Sequence, residues 1–226
     1  MTDWTYDVVI PTMSQRGQLL RLVEQIEATA GVPVRVHVTG LDASASVNRN
    51  AGIALTKGAV VVMVDDDVEF RLWSADWLKV MAESLRRPDV VMASAQLYQP
   101  DGKPAYMTGL QDCGISPLKN WGETAVPSRR LLTACCAFKP CGLLFDEGYV
   151  GSGFEDIDFC NRLAEARPDG KFVICHDSKV VHRNEAKNQR GENWRLNLAR
   201  YERAWGRLET PEEMLELYGP KKGATA

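Results

Sequence analysis

The chain has 226 residues, of which 45% are hydrophobic and 25% are charged, and its formal net charge is −3. These values are ordinary for a soluble globular protein, exclude a disordered chain, and allow one α/β domain with a C-terminal appendage. The small negative charge argues against a surface that binds nucleic acid globally, although it leaves room for a local basic patch.

No apolar stretch reaches the roughly 18 residues that a transmembrane helix needs. The N-terminus, Met1 to Asp7, lacks the basic and apolar regions of a signal peptide. We therefore expect a cytoplasmic protein without a transmembrane segment. The six cysteines show no CxxC spacing and several lie inside apolar runs, which favours buried free thiols over disulfides or a zinc site.

The first hundred residues alternate between predicted strands and helices. Strands are predicted over 7–11, 34–38, 59–64 and 90–95, and helices over 18–30, 47–56 and 75–86. Ser44 or Ser46 is expected near the start of the second helix. Short connections between the elements imply an α/β fold, with a mostly parallel central sheet flanked by helices on both faces.

The pattern changes after Gln99. The stretch 99–130 carries several prolines and glycines with scattered Tyr106 and Trp121, which indicates a functional loop or lid. Further on, the patterns predict a strand over 131–138, a helix over 156–166 and a pair of strands over 171–175 and 179–181. From Glu192 onward, aromatic and leucine residues recur every three to four positions, so a C-terminal amphipathic helix is predicted. Packing is favoured over a sugar-binding platform as the role of its aromatic residues.

Three consecutive aspartates, Asp65, Asp66 and Asp67, end the most hydrophobic run of the chain, Ala59 to Val64. A buried strand delivers its last residues to one edge of a sheet, where ligands bind. Three carboxylates there would repel one another unless a cation or bound hydrogen-bond donors compensated them. Hard oxygen ligands suit Mg²⁺ or Mn²⁺. The alternative is a set of solvated turn or helix-capping residues.

A second acidic cluster contains Glu155, Asp156 and Asp158 at the start of a predicted helix. Helix capping alone would explain it, because the positive end of a helix dipole stabilises carboxylates. Its distance in sequence from the aspartate triplet is also what an active site assembled from several strand ends would show, with one group binding metal and another acting as a base. His182 ends a strand and becomes a credible metal ligand beside these clusters.

Taken in order, these segments resemble the family 2 glycosyltransferases of the GT-A fold, which are inverting enzymes that use nucleotide-diphosphate sugars. The resemblance covers about residues 6–185. It is carried by Val9-Ile10-Pro11-Thr12, Ser46-Val-Asn48-Arg49-Asn50-Ala-Gly52, the DxD motif Val64-Asp65-Asp66-Asp67, Phe145-Asp146-Glu147, the ED-x-D motif Phe154-Glu155-Asp156-Ile-Asp158, and His182.

The resemblance implies roles for these positions. Asp156 would be the general base, with Glu155 beside it, and Asp67 and His182 would hold Mn²⁺ or Mg²⁺ together with Asp65. The donor site would contain Pro11, Thr12, Asp42, Arg49, Asp65 and Asp66, with Arg49 on the nucleotide or its phosphate. The catalytic domain would span 1–190, divided into a nucleotide-sugar-binding half (1–98) and an acceptor half (99–190), and 191–226 would form a helical extension.

The expected donor is a nucleotide-diphosphate sugar, a UDP-sugar foremost, in hexosyl or pentosyl transfer. The acceptor would be a glycan, a lipid-linked or another hydroxyl compound, with hydroxylated DNA among the candidates. Between Lys179 and Arg207, eight Lys/Arg face three Glu, which is typical of a solvated helix face or of a surface for the diphosphate or a polyanionic acceptor. A sugar-nucleotide nucleotidyltransferase and a non-catalytic sugar-nucleotide or glycan-binding module are the alternatives.

Overall fold

The computed structural model describes residues 5–12, 16–104, 122–128, 131–183, 191–210 and 212–213. The elements in chain order are β1 (Tyr6–Pro11), α1 (Arg16–Thr29), β2 (Val34–Thr39), α2 (Ala45–Ile53), β3 (Val60–Val64), β4 (Val68–Glu69), a 3-10 turn (Leu72–Ser74), α3 (Trp77–Arg86), β5 (Val90–Tyr98), β6 (Glu123–Val126), β7 (Cys135–Phe138), α4 (Glu155–Ala166), β8 (Lys171–His182) and α5 (Glu192–Trp205).

The strands form one central sheet in the order β2-β1-β3-β7-β5-β8-β4, and β6 pairs with β8. Strands β2, β1 and β3 run parallel, as do β5 and β8. Strand β7 lies antiparallel between β3 and β5 and joins the two parallel groups. The predicted α/β class, with helices packed on a central sheet, is confirmed, and antiparallel pairing by β4, β6 and β7 makes the sheet mixed.

Two predicted elements differ from the structure. The predicted pair of strands over 171–175 and 179–181 is one strand, β8. Cys175 pairs with Ala95 of β5, and Lys179 pairs with the next residue of β5, Gln96. The residues 176–178 between them therefore form a bulge. The strand predicted over 131–138 begins only at Cys135. Most of the predicted irregular stretch 99–130, including Tyr106 and Trp121, and the tail near residue 220 lie outside the described residues.

The main core is formed by side chains of the strands and of the inner faces of α1, α3 and α4. Among the described cysteines, Cys135, Cys136, Cys160 and Cys175 are buried free thiols, as predicted, and Cys141 is a partly exposed free thiol. Cys113 lies outside the described part of the chain. Within that part, no helix is both long and apolar enough to cross a bilayer.

A smaller second core joins α5 to α4 and to the loop that precedes α4. Its buried members are Tyr149, Phe154, Ile157 and Tyr201, and α5 adds Trp194, Leu198 and Trp205. The predicted amphipathic helix is therefore present, and the aromatic residues of α5 pack inside the protein, as the sequence favoured. The residues before the predicted boundary at 190, namely 184–190, lie outside the described residues.

Asp7 is a fully buried carboxylate in β1 that anchors the sheet edge opposite the aspartate triplet. It accepts hydrogen bonds from Arg35 Nε and Nη2 at 2.8 Å, from His37 Nε2 at 2.9 Å, and from the backbone amides of Lys57, at 2.8 Å, and Gly58. Burial alone would raise the pKa of Asp7, but these donors outweigh it and hold the pKa well below its ordinary value.

Asp7→Asn is expected to lower the free energy of unfolding by about 2–4 kcal/mol at pH 7, because an amide group would face the same set of donors. The lowered pKa means that the contribution of Asp7 is present above pH 3.8, its ordinary pKa, and disappears as the pH falls further. Urea unfolding from pH 3 to pH 7 measures both effects. Asp89→Asn, which alters an exposed ion pair with Lys171, is the control and should change little. An equal effect of both changes would contradict the anchoring role.

Candidate functional site

The aspartate triplet lies in a short, backbone-anchored turn between β3 and β4. The Asp65 amide donates to the Ala134 carbonyl at 2.8 Å, and the Val68 amide donates to the Asp65 carbonyl at 3.1 Å. Asp66 Oδ2 accepts a 2.6 Å hydrogen bond from Thr12 Oγ1, which follows the end of β1. The turn therefore holds Asp65 and Asp67 at the carboxyl end of the parallel strands, as the sequence predicts.

Asp65, Asp67 and His182 form a cluster in which one ligand atom of each lies within 4.8 Å of the others. His182 Nε2 is 3.1 Å from Asp67 Oδ1. Strand pairing produces this proximity, because Val68 in β4 is the register partner of His182 in β8 and the Arg183 amide donates to the Asp67 carbonyl. Two carboxylates and an imidazole, all partly exposed, are a donor set that fits a divalent cation such as Mn²⁺ or Mg²⁺.

Arg49 joins this turn to the start of α4. Its side chain is about 5% exposed, Nη2 lies 2.9 Å from Asp65 Oδ1, and Nη1 lies 2.7 Å from Glu155 Oε1. Burial alone would lower the pKa of Arg49, but the carboxylates around it raise the pKa further above its ordinary value, so the guanidinium stays charged. Arg49 is thus a buried cation held by two protein carboxylates, and the contact with a nucleotide phosphate that the resemblance implies stays a prediction.

Asp156 lies in the first turn of α4, next to Glu155. Its Oδ1 accepts a hydrogen bond from the Ile157 amide at 2.8 Å, and the residue keeps part of its surface exposed. Burial, followed by the negative charge of Glu155, raises the pKa of Asp156 to about 7, against the opposing charge of Arg49. A carboxylate with a pKa near neutrality can accept a proton from a reacting hydroxyl and later release it.

The two other acidic residues of this turn have structural partners. Glu155 is bound by Arg49 and by the amide of Gly153. Asp158 lies 2.8 Å from Arg162 Nε and accepts a 2.8 Å hydrogen bond from Trp205 Nε1 of α5. Asp156 is the partly exposed carboxylate of this cluster, whereas Glu155 and Asp158 are buried and connect α4 to its neighbours.

Two asparagines of α2 support the site, although the sequence motif that contains them implied no role for either. Asn48 is buried and binds the amide and the carbonyl of Leu41, at 2.7 and 3.1 Å, and so shapes the loop in which the exposed Asp42 lies. Asn50 binds the amide and the carbonyl of Phe145, at 2.8 and 2.9 Å, and Glu147 Oε1 at 2.8 Å. The sequence feature that could have indicated this role was their position on either side of Arg49 in the Asn48-Arg49-Asn50 motif.

The predicted donor residues Pro11 and Thr12 are buried at the end of β1, beside Thr39 of β2. Asp42 lies on the same edge of the sheet, in the loop after β2, but the structure gives it no contact with the metal cluster. The positions are compatible with a donor site along this edge, and the individual contacts stay predictions.

Of the six described Lys/Arg residues over 179–207, three form ion pairs with described acidic residues. Arg183 pairs with Glu69 at 3.0 Å, Arg200 with Asp146 at 2.7 Å, and Arg207 with Glu213. Arg195 and Arg203 lie on the exposed face of α5, and Lys187 and Arg190 lie outside the described range. This arrangement agrees with the solvated helix face that the sequence favoured.

Comparison with protein families matches residues 18–138 to glycosyl transferase family 2. The uncharacterized protein y4gI of Sinorhizobium fredii is 27% identical over an alignment that covers 88% of this chain and 24% of y4gI. The chain therefore spans about a quarter of the length of this relative.

Solved structures with a similar fold include a mannosyltransferase from Pyrobaculum calidifontis in complex with GDP-Man and Mn²⁺, with a TM-score of 0.61 at 14% identity, covering 96% of this chain and 69% of that one. GalNAc-T7 with UDP, GalNAc and Mn²⁺ has a TM-score of 0.57 at 15% identity, and the match covers 79% of this chain and 43% of that one. S. aureus TarS has a TM-score of 0.57 at 13% identity, and the match covers 95% of this chain and 42% of that one. The expected GT-A fold is confirmed.

Proposed function

The chain belongs to glycosyl transferase family 2, and from this membership we propose that it transfers a sugar from a nucleotide-diphosphate sugar to an acceptor hydroxyl, in a metal-dependent reaction that inverts the anomeric carbon. The observation that carries the proposal is the link from Asp65 through Arg49 to Glu155. This link brings a group of side chains that could hold a cation and a carboxylate of raised pKa, Asp156, to one edge of the sheet.

Asp65, Asp67 and His182 would hold the divalent ion. When bound, such an ion neutralises the charge that develops on the nucleoside diphosphate as it leaves. The imidazole among the ligands favours Mn²⁺ over Mg²⁺, which prefers oxygen ligands and retains water. Two of the similar structures contain Mn²⁺, one with UDP and GalNAc and the other with GDP-Man. They support a nucleotide-sugar donor, with a UDP-sugar as our first choice.

Asp156 would accept the proton of the acceptor hydroxyl as its oxygen attacks the anomeric carbon from the face opposite the leaving group, so the configuration inverts. Two neighbouring residues change the pKa of Asp156 in opposite directions: Glu155 raises it and Arg49 lowers it. The resulting value of about 7 predicts that kcat/KM rises with pH up to about 7 and then levels off. A pH–rate profile without this rise would contradict the assignment.

Asp67→Ala and His182→Ala are each expected to weaken Mn²⁺-dependent donor binding at least about 10-fold, because each removes one of three protein ligands. Calorimetric titration of UDP-, GDP-, dTDP- and CMP-sugars, with Mn²⁺ and with EDTA, measures this binding directly. Titration of Mn²⁺ alone provides a readout without donor or turnover. Asp89→Asn, at the opposite edge of the sheet, is the matched control and should bind like the wild type. Unchanged Mn²⁺ affinity in both site variants would refute the metal assignment.

A further inference from the structure

The loop 150–153, which leads into α4, is held from two sides by residues outside the acidic clusters. On one side, the Asn197 side chain of α5 accepts from the Val150 amide at 2.9 Å and donates to the carbonyls of Val150, at 2.9 Å, and Ser152, at 3.5 Å. On the other side, the Ala45 amide at the start of α2 donates to the Gly151 carbonyl at 2.8 Å. Asn197 is only 1% exposed, so its polar atoms are used within the protein.

The residue between this loop and the acidic turn has an unusual backbone conformation. Phe154 has a φ of 71°, in the left-handed region, which is a strained conformation for a residue other than glycine. The ring of Phe154 packs against Trp194, at 5.4 Å between centroids, and Tyr201, at 5.7 Å, both on α5. A strained residue keeps its conformation only while its surroundings hold it, and here α5 provides those surroundings.

These contacts define a path from α5 to the reacting carboxylate. Asn197 holds the loop, Phe154 turns the chain into α4, and Asp156 follows two residues later. Resting on the proposed function, we propose that Asn197 is a positioning residue for the base: it holds the loop 150–153 so that the first turn of α4 aims Asp156 at the acceptor hydroxyl. Helix α5 would then contribute to catalysis by positioning the base.

Asn197→Ala removes all three side-chain contacts and tests the proposal. It should lower kcat about 10- to 100-fold, since a misplacement of about 1 Å can cost this much, and leave the Kd for donor and Mn²⁺ unchanged. Amide hydrogen exchange over 150–157 should become at least about 10-fold faster, as expected for a locally loosened segment. Tyr201→Phe is the matched control. It removes the oxygen that accepts from Asn161 and keeps the ring against Phe154, so kcat and loop exchange should stay within about 2-fold of wild type.

A second variant approaches the same loop from α2. Ala45→Pro deletes the amide that binds Gly151, and proline is tolerated in the first position of a helix. The preceding Ser44, with φ −64° and ψ 163°, already has the extended conformation that proline requires of its predecessor. We expect the same pattern as for Asn197→Ala, with kcat lowered and donor Kd unchanged.

Unchanged loop exchange in both variants would overturn the proposal, as would faster exchange with an unaltered kcat. A wild-type protein that transfers no sugar from any donor would instead refute the proposed function. The exchange measurement would then still decide whether Asn197 holds the loop, since it needs no turnover.

Discussion

Asp156→Asn is expected to abolish sugar transfer, with a loss in kcat of roughly 10²- to 10⁴-fold, because the amide cannot accept the acceptor's proton. The side chain keeps its shape and its Oδ1 can still accept from the Ile157 amide, so the donor Kd should not change. Transfer that survives the substitution at the wild-type rate would show that Asp156 is not the base.

The same substitution should make the protein more stable. A carboxylate whose pKa is raised on folding, here from 3.8 to about 7, takes up protons more readily in the native state, so its ionisation reduces stability as the pH rises through this interval. We expect Asp156→Asn to gain about 1–2 kcal/mol at pH 8 and almost nothing below pH 4, after allowing for the partial exposure of the side chain. Thermal unfolding at several pH values measures the difference.

Asp158→Asn is the matched control for this pair of effects, since it changes a carboxylate in the same helical turn. It weakens the contacts to Arg162 and Trp205 and should therefore lower stability, while the kcat of the folded protein stays within a few-fold of wild type. The two residues have different roles if Asp156→Asn raises stability and abolishes activity while Asp158→Asn lowers stability and keeps activity. Asp156 would then be the base and Asp158 a structural contact.

Arg49→Met is expected to lower the free energy of unfolding by about 3–5 kcal/mol at pH 8, because it leaves the buried Glu155 carboxylate without its cation. Urea unfolding at pH 8 measures this loss. A loss no larger than that of the exposed-pair variant Asp89→Asn would contradict the role of Arg49 as the partner of Glu155.

The double variant Arg49→Met, Glu155→Gln removes both members of the pair and should recover most of the lost stability, as replacement of whole buried ion pairs often does. Transfer activity should remain low, because Asp65 loses the partner that holds it beside the other two proposed metal ligands, Asp67 and His182. Recovery of activity together with stability would show that Arg49 serves folding alone.

Much of this fold could be predicted because local patterns and tertiary structure agree. The run Ala59 to Val64 is a fully buried strand from Val60 onward, and hydrophobic periodicity located α1, α3 and α5. Strand β8 was split in two by the prediction because its bulge at 176–178 interrupts the apolar pattern, and register in a sheet depends on the partner strand. Nothing in the sequence around Cys135 shows that β7 would pair antiparallel with β3 and β5.

The sequence indicated which residues belong to the site, but not which of them contact one another. Asp65, Asp67 and His182 do come together, since strand ends meet at one sheet edge. Arg49 was expected to contact the nucleotide or its phosphate, because the family resemblance implies that role. Its burial between two carboxylates is a tertiary property that the sequence does not show. Asn197 carries no motif at all, and only the packing of α5 reveals it.

The contacts that assemble the site join distant parts of the chain: Arg49 and Glu155 are 106 residues apart, and Asn50 and Glu147 are 97 apart. The unit from β1 to β3, by contrast, is built from neighbouring segments and can form early, since closing short loops costs less entropy. We therefore expect the acidic turn after β3 to form its side-chain contacts only after α4 and β8 have packed against it. Substitutions at these late contacts should therefore speed unfolding and leave the folding rate almost unaltered.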